Sequence, residues 1–258
     1  MSNQPALSFC ITCKNRLYQI RHTLRKNLND NMLHDNFIEF ILVDFGSNDG
    51  LRDWVISNFQ PELASGYLKY YYTEELPLWH ASIAKNTAHF CAAGKILVNL
   101  DCDNFTGTWG GTYVMSTFAQ LGDRIVMHQF SGRIGSGTFG RIAVKRKYFY
   151  MLGGYDETLD PMGFEDDDLI LRHIQIGHKY ISLTDNRFNQ SIPNTIEESI
   201  LHTGSSKNYE MMLQYNRNVA HYNLSEGRLI ANAGKFGIRK NIFDHNGKKF
   251  QPKIINHE

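Results

Sequence analysis

The chain has 258 residues, of which 42% are hydrophobic and 21% are charged, as in one large globular domain or two small ones. Its formal net charge of +1 excludes a strongly basic binder of nucleic acids or other polyanions. We find no signal-peptide pattern and no run long enough to span a membrane, so we expect a soluble, cytoplasmic protein, for which peripheral membrane contact stays open.

Strand-like and helix-like patterns alternate in the first part of the chain. Each short apolar run is followed by a polar turn and then by apolar residues at helical spacing, with Gly94 as the expected cap of the last helix. Such βαβ units predict a largely parallel sheet, in which ligands bind beyond the carboxyl ends of the strands. The predicted strands are 7–12, 37–44, 67–72 and 96–100, and the predicted helices are 17–28, 51–59 and 81–93.

Polar residues follow three of these strands. Lys14 and Arg16 could hold an anion or be ordinary solvated charges at a helix start. Asp44 could be a turn residue, or it could accept a hydrogen bond from the base of a nucleotide. Asp101 and Asp103 repel each other and lose hydration at the end of a buried strand. This pair predicts Mg²⁺ or Mn²⁺ that also holds the phosphates of a substrate.

The later part of the chain has a different character. The segment from Gly135 to Gly140 matches the G-x-G-x-x-G pattern, but that fingerprint requires a following helix, and 141–144 is strand-like. We therefore predict a glycine loop beside the active site or a plain turn. The other predicted strands are 124–130 and 179–184, the predicted helices are 112–121, 147–152, 165–176 and 208–222, and 185–200 is predicted to be irregular.

Four consecutive acids, Glu165 to Asp168, stand at the predicted start of a helix. The positive end of a helix favours acids, but four exceed what a cap requires. Their repulsion should raise at least one pKa toward the range that a general base needs at neutral pH.

Histidine and cysteine give weaker signals. A lone histidine such as His202 is usually structural. Cys10 and Cys13 lie in a strand-like run, so buried thiols in a reducing compartment are a better interpretation than a metal or redox site.

Six motifs occur in a fixed order: Thr12-Cys13-Lys14-Asn15-Arg16, Val43-Asp44-Phe45-Gly46-Ser47-Asn48-Asp49, Ala84-Lys85-Asn86, Asp101-Cys102-Asp103, Gly153-Gly154-Tyr155-Asp156-Glu157, and Gly163-Phe164-Glu165-Asp166-Asp167-Asp168-Leu169 with Arg172. Together they resemble the GT-A fold, nucleotide-sugar-dependent glycosyltransferases of the family 2 type. The similarity is greatest to the branch of β-1,4-galactosyltransferases and chondroitin-type synthases, and it runs from about Ser8 to Asn232. Phe45 replaces a usual acid and Lys85 a usual arginine, which leaves the donor open.

The resemblance implies an α/β, GT-A fold with a Rossmann-like, mostly parallel central sheet flanked by helices and a smaller acceptor-side subregion. It implies one domain over residues 1–258, with a nucleotide-binding half at about 1–103 and an acceptor-binding and catalytic half at about 104–258.

The resemblance also implies a role for each site residue. Asp166 is the expected base, and Glu165 and Asp167 are expected to bind the acceptor. Asp103 and His202 are the expected ligands of Mn²⁺ or Mg²⁺. Asp44 is expected to contact the base of the donor, and Asp101 its ribose or sugar. The other expected donor contacts are Thr12, Lys14, Arg16 and Lys85.

The function implied is metal-dependent transfer of a sugar, with inversion, from a nucleotide-sugar, expected to be a UDP-sugar, to a hydroxyl of a glycan or other acceptor. Polysaccharide, lipid-linked and protein acceptors stay open, and no nucleic acid is expected as a partner. The alternatives are a retaining GT-A transferase, a sugar-phosphate nucleotidyltransferase and a non-catalytic module that binds nucleotide-sugars.

Overall fold

The computed structural model describes residues 4–32, 37–130, 132 and 137–252. The strands are β1 Leu7–Cys13, β2 Ile38–Asp44, β3 Leu68–Tyr72, β4 Ile96–Asn99, β5 Asn104–Phe105, β6 Ile125–His128, β7 Ile142–Lys145, β8 Lys179–Ser182, β9 Gln190–Ser191 and β10 Phe243–Asp244. The helices are α1 Leu17–Asn31, α2 Leu51–Asn58, α3 Gln60–Ser65, α4 Ala81–Cys91, α5 Gly110–Leu121, α6 Arg146–Met151, α7 Glu165–Gln175, α8 Ile196–Ile200 and α9 Tyr209–Ser225.

A central sheet of eight strands has the order β10-β3-β2-β1-β4-β7-β6-β8. Strands β7 and β10 pair only antiparallel with their neighbours, so they run against the other six. The prediction of an α/β fold with a mostly parallel sheet is therefore confirmed. Because β4 pairs with β7, one sheet joins the two predicted halves of the chain. The assignment of a separate task to each half stays a prediction.

Side chains on both faces of the sheet are buried, because helices cover both. In β1, Leu7, Phe9 and Ile11 pack with apolar residues of α1, α2 and α5. Cys10 points to the opposite face and packs with residues of α4, α6 and α7. Period-two alternation with burial on both faces explains why the sequence reads as a continuous apolar run. The four cysteines are buried and free, as the sequence predicted.

Two predictions about local structure need correction. Gly94 does not cap α4, which ends with Ala92 in an extended conformation. A Cβ on Gly94 would lie 2.5 Å from Ser8 Oγ, so this glycine allows the chain to pack closely on β1. The segment 185–200 is not wholly irregular, since it contains β9 and α8. Thr195 and Glu198 form a capping box at the start of α8.

The glycine loop before β7 follows the prediction where it is described. Gly135 and Ser136 lie outside the described residues, and Gly137 to Gly140 lead directly into β7 without a helix. None of the helices in the described ranges combines the length and apolar composition that crossing a bilayer requires. The cytoplasmic location stays a prediction.

Candidate active site

A cavity of about 500 Å³ opens beyond the carboxyl ends of β1 and β4. The helical turn at the start of α7 closes its opposite side. Ten of the eleven residues that the sequence assigned to the site line this one cavity. They are Thr12, Lys14, Arg16, Lys85, Asp101, Asp103, Glu165, Asp166, Asp167 and His202. The structure therefore brings these predicted residues together, while the site and the individual roles stay predictions.

The acidic edge after β4 is fixed by two asparagines. Asn99 Nδ2 donates to Asp101 Oδ1 at 3.0 Å, and Asn104 Nδ2 donates to Asp103 Oδ1 at 2.6 Å. Burial and the nearby charge of Asp101 raise the pKa of Asp103 to about 6. This edge carries negative charge that a bound cation would relieve.

Arg141 lies behind this edge and was missed by sequence reasoning. Its guanidinium is fully buried and donates to Asn104 Oδ1 at 2.6 Å. Burial lowers the pKa of Arg141 to about 10, while the charges of Asp101 and Asp103 act in the opposite direction. The arginine therefore supplies a fixed positive charge to the acidic edge from inside the protein.

The two cations after β1 are tied to other parts of the cavity wall. Lys14 Nζ donates to the carbonyls of Phe45 at 2.6 Å and Leu76 at 3.2 Å. Arg16 donates to the carbonyl of Glu198 in α8 at 2.8 Å. Burial lowers the pKa of Lys14. Both cationic side chains line the cavity, where an anionic part of a ligand would lie.

Asp44 is the one predicted site residue that does not line the cavity. Its carboxylate is fully buried and accepts from Tyr70 Oη at 2.7 Å and from the Ser47 amide at 2.9 Å. Burial raises its pKa, although these hydrogen bonds oppose the change. The observed arrangement is the turn role that the sequence had left open. A direct contact with a nucleotide base is not supported by this position.

Lys85, Glu165 and Asp166 form a buried ion-pair cluster. Lys85 Nζ lies 2.7 and 2.8 Å from the two carboxylate oxygens of Asp166 and 3.0 Å from Glu165 Oε1. Burial, together with the charges of Glu165 and Asp101, raises the pKa of Asp166 to about 7, although Lys85 lowers it. Burial also acts to raise the pKa of Glu165, but Lys85 outweighs this and lowers it. Asp166 therefore titrates near neutral pH, where a general base is most effective.

A strained turn places these acids. Gly163 has φ of 91° and Phe164 has φ of 66°, immediately before α7 starts at Glu165. A left-handed conformation at a non-glycine residue is unfavourable and clusters at functional sites. It directs the first turn of α7 into the cavity, with the acids at the positive end of the helix.

Asn216 of α9 holds this turn in place, and sequence reasoning missed it. Its side chain is fully buried and donates to the carbonyls of Asp160, Met162 and Gly163 at 3.1, 3.2 and 2.6 Å. It also accepts from the Asp160 amide at 2.6 Å. No local sequence signal marks an asparagine within a polar helix for such a task.

Two of the sequence motifs meet through Asn86. Its Nδ2 donates to the Tyr155 carbonyl and to Glu157 at 2.8 Å each, and its Oδ1 accepts from the Tyr155 amide. A Cβ on Gly154 would lie 2.4 Å from Asn86 Oδ1, so the close approach requires glycine. Helix α4 therefore positions both the Gly-Gly-Tyr-Asp-Glu turn, through Asn86, and the acids of α7, through Lys85.

Several solved glycosyltransferases have similar structures. The mannosyltransferase PcManGT from Pyrobaculum calidifontis, in complex with GDP-Man and Mn²⁺, has a TM-score of 0.59 and 16% identity over 90% of this chain and 74% of its own. The chain has the GT-A fold. S. aureus TarS 1-349 in complex with UDP-GlcNAc has a TM-score of 0.58 and 14% identity, over 78% of this chain and 61% of its own.

A third structure with the GT-A fold is matched over a smaller part of its length. GalNAc-T7 with UDP, GalNAc and Mn²⁺ has a TM-score of 0.58 and 17% identity, over 70% of this chain and 43% of its own. No protein-family model and no curated protein matches the sequence.

A divalent metal fits the residues at the acidic edge of this GT-A fold. Within the described ranges, no three His, Cys, Asp or Glu side chains come together as a complete metal site. A metal that bridges a diphosphate needs only one or two protein ligands, because phosphate and water oxygens complete the shell. Asp103 and His202 line the same cavity. Burial lowers the pKa of His202, and the charges of Lys14 and Arg16 lower it further. A lower pKa favours the neutral imidazole, which is the form that binds a metal.

Apolar side chains form the wall next to the acids of α7, which the sequence did not reveal. Trp79 Nε1 donates to Met162 Sδ at 3.3 Å, and the Trp79 amide donates to the His202 carbonyl at 2.7 Å. Phe164 and Tyr209 also line the cavity. Flat aromatic faces with polar tips suit a ligand that is apolar on one face and hydroxylated at its edges.

Proposed function

We propose that the protein is a metal-dependent, inverting glycosyltransferase that moves a sugar from a nucleotide-sugar, expected to be a UDP-sugar, to a hydroxyl of a glycan or other acceptor. One observation carries the proposal. A Cβ placed on Gly140 would lie 2.7 Å from Asp101 Oδ2 and 3.2 Å from Asp166 Oδ2. The donor-side acid and a carboxylate suited to general-base chemistry therefore face the same small space.

On the donor side, Thr12, Lys14 and Arg16 bind the nucleoside and diphosphate in this proposal, and Asp101 binds the ribose or sugar. Asp103 and His202 hold Mn²⁺ or Mg²⁺. When bound, the metal neutralises the diphosphate and so stabilises the leaving nucleotide. The histidine ligand is also the feature that favours the β-1,4-galactosyltransferase and chondroitin-synthase branch.

On the acceptor side, Asp166 takes the proton of the acceptor hydroxyl. The acceptor oxygen then bonds to the anomeric carbon, while the bond from that carbon to the diphosphate oxygen breaks. Attack opposite the leaving group inverts the configuration. Glu165 and Asp167 orient the acceptor, and burial with the charge of Glu165 raises the pKa of Asp167 to about 6.

The proposal is tested by separating donor binding from transfer. The purified protein is mixed with a panel of UDP-sugars and Mn²⁺, and UDP release and calorimetric donor binding are measured. We expect Asp103→Asn to lose metal-dependent donor binding, and Asp166→Asn to bind donor normally without transferring sugar. Asp123→Asn is the control, because Asp123 is half exposed and pairs with Lys145 and Lys147 outside the cavity.

The alternative functions give different results in the same assays. Equal loss of donor binding in Asp103→Asn and Asp166→Asn contradicts the division of roles. Retained configuration in the product, read by NMR of the anomeric proton, indicates a retaining enzyme. Pyrophosphate release from UTP and a sugar phosphate indicates a nucleotidyltransferase. Tight UDP binding without transfer or donor hydrolysis indicates a binding module.

A further inference from the structure

Lys85 lies in the cavity wall, and its side chain contacts several protein groups. Its side chain is only 7% exposed, and its ammonium contacts both oxygens of Asp166 and one oxygen of Glu165. The ring of Tyr155 lies 5.2 Å away, in cation–π range. This environment differs from the donor contact that the sequence resemblance implied.

We propose that Lys85 is a positioning residue for the Asp166 carboxylate and does not itself bind the donor. The inference rests on the proposed function of Asp166 as the base. Two contacts from one ammonium to both carboxylate oxygens fix the plane of the carboxyl group. In that orientation, Asp166 Oδ2 faces Gly140 and the cavity beside Asp101. The Asp166 carboxylate is therefore oriented toward the cavity before an acceptor binds.

Lys85 also balances the charge around Asp166. Glu165 of α7 and Asp101 at the end of β4 are the acids that act on this carboxylate, and Asp167 lines the same cavity. Tyr155 and Tyr209 are the neighbouring phenols, and burial, together with acidic neighbours, raises the pKa of both. Burial acts to lower the pKa of Lys85, but Asp166 and Glu165 outweigh it and raise it well above its usual value. Lys85 therefore stays charged across the pH range in which Asp166 titrates.

A positioning role and a donor contact predict different effects of removing the charge. Without its cation, a carboxylate surrounded by acids holds its proton to higher pH, because a nearby opposite charge lowers a carboxyl pKa by about one to three pH units. Loss of a donor contact would also weaken donor binding, which a positioning role leaves unchanged. The same variant therefore distinguishes the two roles.

The experiment follows the Asp166 carboxyl directly, without turnover. Protein labelled with ¹³C at the aspartate carboxyl carbons is titrated by NMR, and the Asp166 signal is assigned by its absence from Asp166→Asn. In Lys85→Met we expect the midpoint to rise by about one to three pH units from the wild-type value. We expect Lys85→Arg to stay near the wild type, and the Kd for UDP-sugar with Mn²⁺ to stay within about twofold in both variants.

Glu165→Gln provides an independent arm that does not depend on the folding of Lys85→Met. It removes a negative charge beside Asp166 and leaves Lys85 paired with Asp166 alone, so the midpoint should fall. Lys69→Met is the matched control, because Lys69 pairs with the buried Glu39 at the opposite edge of the sheet and should leave the midpoint unchanged.

The proposal is overturned by an unchanged Asp166 midpoint in either Lys85→Met or Glu165→Gln. It is also overturned if Lys85→Met weakens donor binding tenfold or more, whether or not the midpoint changes. Because the titration needs no sugar transfer, its result stands even if the protein proves inactive on every acceptor, which would instead contradict the proposed function.

Discussion

Asp166 holds a carboxylate in surroundings that favour its neutral form. Burial is the largest cause, the charges of Glu165 and Asp101 add to it, and Lys85 opposes them, so that its pKa is about 7. A base must be ionised to accept a proton. The residue therefore controls the pH range in which the proposed reaction can run.

The first prediction concerns this pH dependence. We expect kcat/KM for transfer to fall by about tenfold per pH unit below pH 7 and to level off above it, because this parameter reports the pKa of the free enzyme's base. The measurement is a pH–rate profile with saturating Mn²⁺. A profile that is flat between pH 5 and pH 8 contradicts Asp166 as the base.

Substitution of Gly140 tests the space between Asp101 and Asp166. Its φ is not positive, so alanine would cause no backbone strain there. The added methyl would fill the space between Asp101 and Asp166. We expect Gly140→Ala to fold normally but to lose roughly a hundredfold or more in kcat/KM, since small displacements of reacting groups have effects of that size. Melting temperature measured with the kinetics separates this loss from unfolding. Near-normal transfer would show that this space is not the reaction site.

At the scale of elements, α4 and α9 position the turn before α7, and the acids that follow it, from two directions. Helix α4 holds the acids of α7 through Lys85, and α9 holds the turn before them through Asn216. Contacts between α7 and α9 complete this arrangement. Neither helix was predicted from its own sequence to have this task.

Asn216→Ala tests the role of α9. The substitution leaves buried carbonyl groups of the turn without a donor, so we expect the free energy of unfolding to fall by about 2–4 kcal/mol. Transfer should fall as well, because the turn carries Glu165 and Asp166. Asn218→Ala is the control, since Asn218 is exposed on the same helix and accepts a hydrogen bond from Gln214, one turn away. Urea unfolding compares the two variants, and equal stability would contradict the role of Asn216 in holding the turn before α7.

For the whole molecule, a site crowded with acids lowers stability. The pKa of Asp166 is raised from 3.8 in a free chain to about 7 in the folded protein. The folded state therefore holds this proton more tightly than the unfolded state. The resulting penalty is full above pH 7, shrinks as the pH falls below 7, and is gone near pH 4.

Asp166→Asn should therefore stabilise the protein while abolishing transfer. At pH 8 we expect a gain of roughly 1–4 kcal/mol over the wild type, because the amide has no charge to bury. The gain should shrink progressively at pH 6 and pH 5. Chemical unfolding at the three pH values gives the comparison. A gain that is independent of pH would mean that the charge of Asp166 is not its cause.

The pattern of apolar residues determined most of the fold. The strands of the parallel region are apolar runs, and α1, α4 and α7 show helical spacing, so local sequence fixed their type and approximate ends. The short helix α8 was missed because none of its residues is buried, which leaves no periodic signal. The capping box of Thr195 and Glu198 was the available signal.

The sequence by itself also determined which residues meet at the candidate site. Acids and cations that follow parallel strands meet at one sheet edge, whatever the packing elsewhere. Only the tertiary structure decided which groups pair there. Lys85 donates to Glu165, which lies 80 residues later in the chain. The buried Arg141 donates to Asn104, and Asp44 accepts from Tyr70. Such contacts depend on how distant elements pack, and local sequence carries no record of that geometry.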